Sequence, residues 1–142
     1  MSDTWLIVRE TAISVLINTA ISVGFFLLVF SFGPPVATRA LAPDFLPQTF
    51  MVALMGSLVP ALLIRRRSGA PVAAIVRRTL LIAFAALVVA GGGAFAVTHA
   101  SDVMLASSTA LAIKAAFGAV LAAIVTPLAV AATLRYRPGG TP

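Results

Sequence analysis

The chain has 142 residues, of which 61% are hydrophobic and only 10% charged, and its mean hydropathy is +1.09. That balance excludes a water-soluble domain of this size, and the absence of cysteine excludes disulfides, thiolate metal sites and cysteine nucleophiles. The formal charge of +6 does not point to nucleic acid, because the arginines stand at the ends of apolar runs with no interleaved aromatics.

In chain order, Ser2-Asp3-Thr4 is suited to cap a first helix, and Trp5 to the headgroup level, where one edge of its ring meets water. Arg9-Glu10 marks a boundary, and the apolar run from Thr11 to Phe32 is the first predicted span, closed by Gly33-Pro34-Pro35. Ala40-Leu41-Ala42 resembles a signal-peptide cleavage site, but the preceding apolar run is longer than a normal signal core. Val36 to Phe45 reads as a loop, with Pro47 in the first turn of a second span from about Gln48 to Ile64. The run Arg65-Arg66-Arg67-Ser68-Gly69-Ala70-Pro71, closed by Arg77-Arg78, then divides the chain. Pro71 to Arg78 is either a short interfacial helix or the start of a third span, which reaches from about Thr79 to Val97. His99 and Asp102 fall in a second loop, Asp102 being a candidate N-cap. The fourth span covers roughly Ala106 to Leu134 and ends at Arg135-Tyr136-Arg137 before a Pro-Gly-Gly tail expected to be disordered.

Each span supplies the roughly 20 apolar residues that a bilayer core of about 30 Å requires. The predicted fold is therefore all-α: a single transmembrane domain over 1–142, with four helices as two tandem hairpins, 5–67 and 72–137, joined by the basic linker 65–78. Arg65, Arg66, Arg67, Arg77 and Arg78 resist translocation and set the topology, placing the linker and both termini in the cytoplasm. Arg9, Arg135 and Arg137 fall on the same side, and Arg39 and Lys114 on the other.

Sliding the chain by 68 residues places Thr11 on Thr79 and Gly24 on Gly92, and a shift of 67 places Pro60 on Pro127. Leu54–Pro60 (LMGSLVP) and Leu121–Pro127 (LAAIVTP) are both followed by apolar residues and arginine, the pattern of a duplicated hairpin repeated in parallel about the membrane normal. A hairpin whose second helix ends in proline, a few apolar residues and arginine resembles an uncharacterised family of small bacterial inner-membrane proteins. The second copy departs from that pattern by lengthening the stretch from Pro127 to Arg135. The resemblance implies a multi-pass protein of the bacterial inner membrane and no particular activity.

Candidate functional residues are few. Thr11, Ser14, Asn18 and Ser22 share one face of the first helix, suited to interhelical hydrogen bonding or to lining a polar path. Lys114, about two turns into the fourth span, is expected to snorkel outward or to pair with Asp44 or Asp102, with transport the sharper alternative. Glu10 is expected to pair with Arg9, proton coupling being the alternative. Gly24, Gly91, Gly92, Gly93, Ala119 and Ala122 are expected to let helices approach closely. Pro60 and Pro127 free the carbonyls of Gly56 and Ala123, which either mark plain kinks or bind an ion. His99 is the one residue that could serve as an axial ligand to a haem or pigment, and no second histidine stands opposite it; no metal or cofactor is otherwise indicated.

The sequence contains no acid–base pair or metal cluster that would carry an enzyme. It leads to the expectation of a non-catalytic accessory or assembly subunit, partnered by the lipid bilayer and by other membrane subunits or a second copy of itself. The alternative is a small, dimeric transporter or channel using the Asn18 face and Lys114.

Overall fold

A computed structural model describes residues 2–136. The fold is all-α, with helices α1 (Asp3–Phe30), α2 (Thr38–Ser68), α3 (Val72–Ala86), α4 (Gly92–Ala100) and α5 (Ser107–Leu134), and two-residue strands β1 (Val36–Ala37) and β2 (Met104–Leu105). One π turn, Leu87–Gly91, joins α3 to α4, so that Val72–Ala100 forms one long helical segment. Four helices are therefore long and apolar enough to cross a membrane: Asp3–Phe30, Thr38–Ser68, Val72–Ala100 and Ser107–Leu134. At about 1.5 Å per residue, the 28 residues of α1 alone reach roughly 42 Å.

The ends of these helices have local causes. Ser2 caps α1 by accepting the Trp5 N–H at 3.3 Å. Gly69 closes α2 in the left-handed conformation (φ 69°), its N–H returning to the Arg65 carbonyl, a geometry that glycine adopts without a Cβ penalty. Asp102 does not cap α5: the N-cap is Ala106, which offers no side-chain acceptor. Pro71 is the N-cap of α3, so Pro71 to Arg78 begins the third span instead of forming a separate interfacial helix.

The largest departure from the sequence reading is the start of α2. Val36 to Phe45 is expected to be a loop because residues before proline disfavour helix, yet the helix begins at Thr38 and carries Pro43, Pro47 and Pro60 inside it. Pro43 and Pro47 are exposed and four residues apart, so the ladder bonds they remove lie on one outer face near the helix start. The inner face buries Leu41, Ala42 and Phe45. Thr38 anchors this end, its Oγ1 donating to the Ser101 carbonyl at 2.8 Å and accepting from the Val103 N–H at 3.2 Å. Ala40-Leu41-Ala42 thus lies within a helix, with Leu41 and Ala42 in its buried face, and not in an extended cleavage segment.

The helices pack in an order that chain succession does not suggest. α2 and α5 lie together at the centre, α1 packs along α5, and the α3–α4 segment packs along α2. Within each predicted hairpin the two helices touch lightly. The central cluster joins Val52 and Ala53 of α2, Ala83 of α3, and Leu121, Ala122 and Val125 of α5. At the end away from the arginine run, Phe26, Val36, Leu41, Phe45 and Ala110 form a second cluster, beneath the antiparallel pairs Val36 to Leu105 and Ala37 to Met104.

Candidate functional site

The polar side chains of the bundle collect where α1, α2 and α5 meet. On α1 the buried positions recur every fourth residue, at Leu6, Glu10, Ser14, Asn18, Ser22 and Phe26, so one ridge of the helix turns four polar groups inward. From Glu10 to Ser22 this ridge covers about 18 Å of helix rise. Thr11, expected to belong to it, is half-buried one position round, and its Oγ1 has no hydrogen-bond partner among the described residues. Glu10 takes the place in the ridge that Thr11 was expected to hold.

At the middle of the ridge three helices converge on one backbone carbonyl. Pro60 has no N–H to give to the carbonyl of Gly56, and Thr126 of α5 replaces that bond with its hydroxyl at 2.7 Å. Because Thr126 has a single proton and a carbonyl has none, the Ser14 hydroxyl, 2.8 Å away, must supply its own proton to Thr126. Asn18 Nδ2 then donates to Ser14 Oγ at 3.2 Å and to the Ser14 carbonyl at 2.8 Å. Donation therefore runs in one direction, from Asn18 through Ser14 and Thr126 to Gly56. Gly56 permits the approach: a Cβ there would stand 3.2 Å from Ser14 Oγ and 3.4 Å from Thr126 Oγ1.

Toward the other end lies a buried ion pair. Lys114 is 1% exposed and does not snorkel; its Nζ pairs with Asp44 Oδ2 and sits 4.4 Å from the centroid of the Phe45 ring. Lys114 stands about 10 Å along α5 from its start, facing an acidic residue at matching height on α2, so pairing satisfies the charge without the side chain having to reach solvent. Asp102, the other expected partner, is exposed and takes no part. Gln48, one turn beyond Asp44, ties the three helices by donating to Ser22 Oγ at 3.0 Å and to the Lys114 carbonyl at 3.1 Å. The sequence reading missed Gln48, although its spacing from Asp44 places both on one helical face.

At the opposite end, Glu10 is 3% exposed and accepts from Arg9 Nε at 3.1 Å, while the Arg9 guanidinium also lies 5.7 Å from the Trp5 ring centroid. Because α1 and α2 both lean on α5, a crevice opens between them. It holds two cavities: one of about 220 Å³ reaching from Glu10 past Asn18 to Pro60 and Leu63, and one of about 260 Å³ between Ser22, Phe25, Gln48 and Met51. Glu10, Ser14, Asn18, Ser22 and Gln48 stand at their edges, but the surface the cavities present is almost wholly apolar, from Ile, Met, Val, Leu and Phe.

The small residues divide differently from expectation. Ala122 is fully buried, Ala119 half-buried, and Gly91 meets Thr49, whose Oγ1 would stand 3.1 Å from an added Cβ. Gly92 has no neighbouring side chain within 4 Å of such a Cβ, and Gly24 and Gly93 are exposed with nothing at all within that distance. The tight glycine of the bundle is instead Gly118, where a Cβ would come within 2.5 Å of Ser22 Oγ. A period of 3.6 identifies which residues share a face but not which face meets a neighbour, and Gly118 has no adjacent glycines to draw attention to it.

His99 is exposed in the last turn of α4 and stacks on Phe95, with centroids 5.4 Å apart and planes at 19°. Among the described residues no three His, Asp or Glu side chains come together to hold a metal ion. Arg65, Arg66 and Arg67 occupy the last turn of α2, and Arg77 and Arg78 lie in the second turn of α3, at the same end of the bundle as Arg9. Arg137 and the Pro-Gly-Gly tail lie outside the described residues. Comparison with protein-family models, with curated proteins and with solved structures returns no match.

Proposed function

We propose that this chain is a non-catalytic multi-pass protein of the bacterial inner membrane, an accessory or assembly subunit that packs its helices against other membrane subunits. The observation that carries this reading is the outward position of Gly24 and Gly93. Lipid provides no hydrophobic drive between helices, so small residues matter where backbones must approach closely. Neither glycine is needed for contacts inside the chain, and each opens a smooth outer surface, with Ala20 beside Gly24 on α1 and Ala96 beside Gly93 on α4, all exposed. The strongest polar groups of the interior are spent within the bundle, in the Lys114 and Asp44 pair and in the Asn18 to Gly56 chain.

The positive-inside rule supports a cytoplasmic basic connector and cytoplasmic termini. A duplicated hairpin also fits the packing, since the first helix of each repeat lies on the second helix of the other. Val36 and Met104, and Ala37 and Leu105, are each 68 residues apart, so an exchange of the two copies carries the β1–β2 pairing onto itself.

A photo-crosslinking side chain at position 28 or 97, each exposed and one turn beyond Gly24 or Gly93, tests the proposal in native membranes. A discrete adduct of defined mass, lost in Gly24→Leu or Gly93→Leu while the chain itself remains folded, is the expected result. A monomer without adducts from either position contradicts it.

A second reading, a small transporter, draws on Glu10 and Asn18 beside the α1–α2 crevice and on Lys114, because ionisable groups at this depth mark substrate or proton paths by default. Flux in liposomes that falls in Asn18→Leu and Lys114→Leu would favour it, and the absence of flux over a broad solute panel removes it.

A further inference from the structure

We infer that the arginine-rich end of the bundle carries a site for an anionic phospholipid, seated between the start of α3 and the end of α5. A cleft of about 780 Å³ opens there, lined by Arg78, Pro127, Leu128, Ala131, Ala132, Arg135 and Tyr136. The facing wall is made by Pro127, Leu128, Ala131 and Ala132 of α5, with Arg135 at its C-cap and Tyr136 just beyond the helix, so it changes from apolar to polar at the basic end. Over the eight steps from Pro127 to Arg135 the wall rises about 12 Å, so it presents hydrocarbon below and hydrogen-bond donors above, the profile of a lipid with its glycerol-phosphate region at the rim.

Arg78 faces this wall from α3. Its Nη1 donates to the Ala132 carbonyl at 2.7 Å, one of the last four carbonyls of α5 that lack a helical partner. That bond fixes the guanidinium and offsets the negative end of the helix dipole, which would otherwise repel an anion. A guanidinium has five N–H donors, so several remain for phosphate oxygens, with Arg135 and Tyr136 also lining the cleft. Among the described residues no acidic side chain lines the cleft, and basic pockets between helices at this level suit phosphate-bearing headgroups. The apolar lower wall selects a lipid over free phosphate, and the paired guanidiniums select an anionic headgroup over a zwitterionic one.

The test uses the full-length detergent-solubilised protein and native mass spectrometry, titrating phosphatidylglycerol and phosphatidylcholine. Phosphatidylglycerol should be retained in preference, and Arg78→Gln with Arg135→Gln should weaken it about 30-fold, from roughly fivefold per arginine near a membrane surface. Arg135→Gln alone should weaken it about fivefold and keeps the test valid if the double variant fails to fold. Arg65→Gln with Arg66→Gln removes equal charge outside the cleft and should leave retention within about twofold. Equal loss in both pairs, equal retention of the two lipids, or displacement by millimolar inorganic phosphate would each overturn the assignment.

Discussion

Substituting Gly118 by alanine tests the α1–α5 contact with a single methyl group. That methyl would sit 2.5 Å from Ser22 Oγ, against a usual contact limit near 3.4 Å, so α1 must move away or Ser22 must leave its rotamer. Overpacking of this kind costs about 1–3 kcal/mol, partly offset by the roughly 1 kcal/mol better helix propensity of alanine. Ser22→Ala alone removes the Gln48 bond at 3.0 Å and should cost about 0.6 kcal/mol, the average for interhelical bonds within membranes. With both changes the new Cβ meets the Cβ of residue 22 at 3.6 Å, an ordinary contact. The double variant should therefore be more stable than Gly118→Ala alone, although it carries a second substitution. Reversible unfolding of purified protein in mixed micelles, followed by far-ultraviolet circular dichroism, measures this. Additive losses would refute the packing of α1 on α5 through these two residues.

Lys114→Met leaves Asp44 facing an apolar side chain and should destabilise by about 3–5 kcal/mol, whereas Lys114→Met with Asp44→Asn should recover most of that loss. The same unfolding assay in a double-mutant cycle reads the coupling, and no recovery would place the two residues apart. Thr126→Val keeps the shape but removes the donor to Gly56, at a cost of about 0.6 kcal/mol and at most about 1.7. In a Pro60→Ala background that cost should shrink, because residue 60 then has its own N–H for the same carbonyl.

The long apolar runs made the four helices legible from residue types alone, and the Asn18 face and the Asp44 partner of Lys114 were among the possibilities that spacing allowed. Other features depended on tertiary context. Pro43 and Pro47 signal a loop by local rules, but the burial of Leu41 and Phe45 and the anchoring of Thr38 by the Ser101–Val103 segment draw that stretch into α2. In helices apolar on all sides, hydropathy does not distinguish an inner from an outer face, so Gly24 and Gly118 look alike in sequence although one faces outward and the other meets Ser22. The pairing of α1 with α5 follows from side-chain fit over the whole chain and has no local signature.

Two cysteines introduced one at a time into the cysteine-free chain, Pro71→Cys at the basic connector and Asp102→Cys at the other end, test the membrane arrangement most directly, since both positions are exposed. A maleimide that does not cross membranes should label position 102 in intact cells and position 71 only after permeabilisation. Labelling of both positions from one side would contradict the four crossings, and with them the reading of Lys114 and Asn18 as groups at membrane depth.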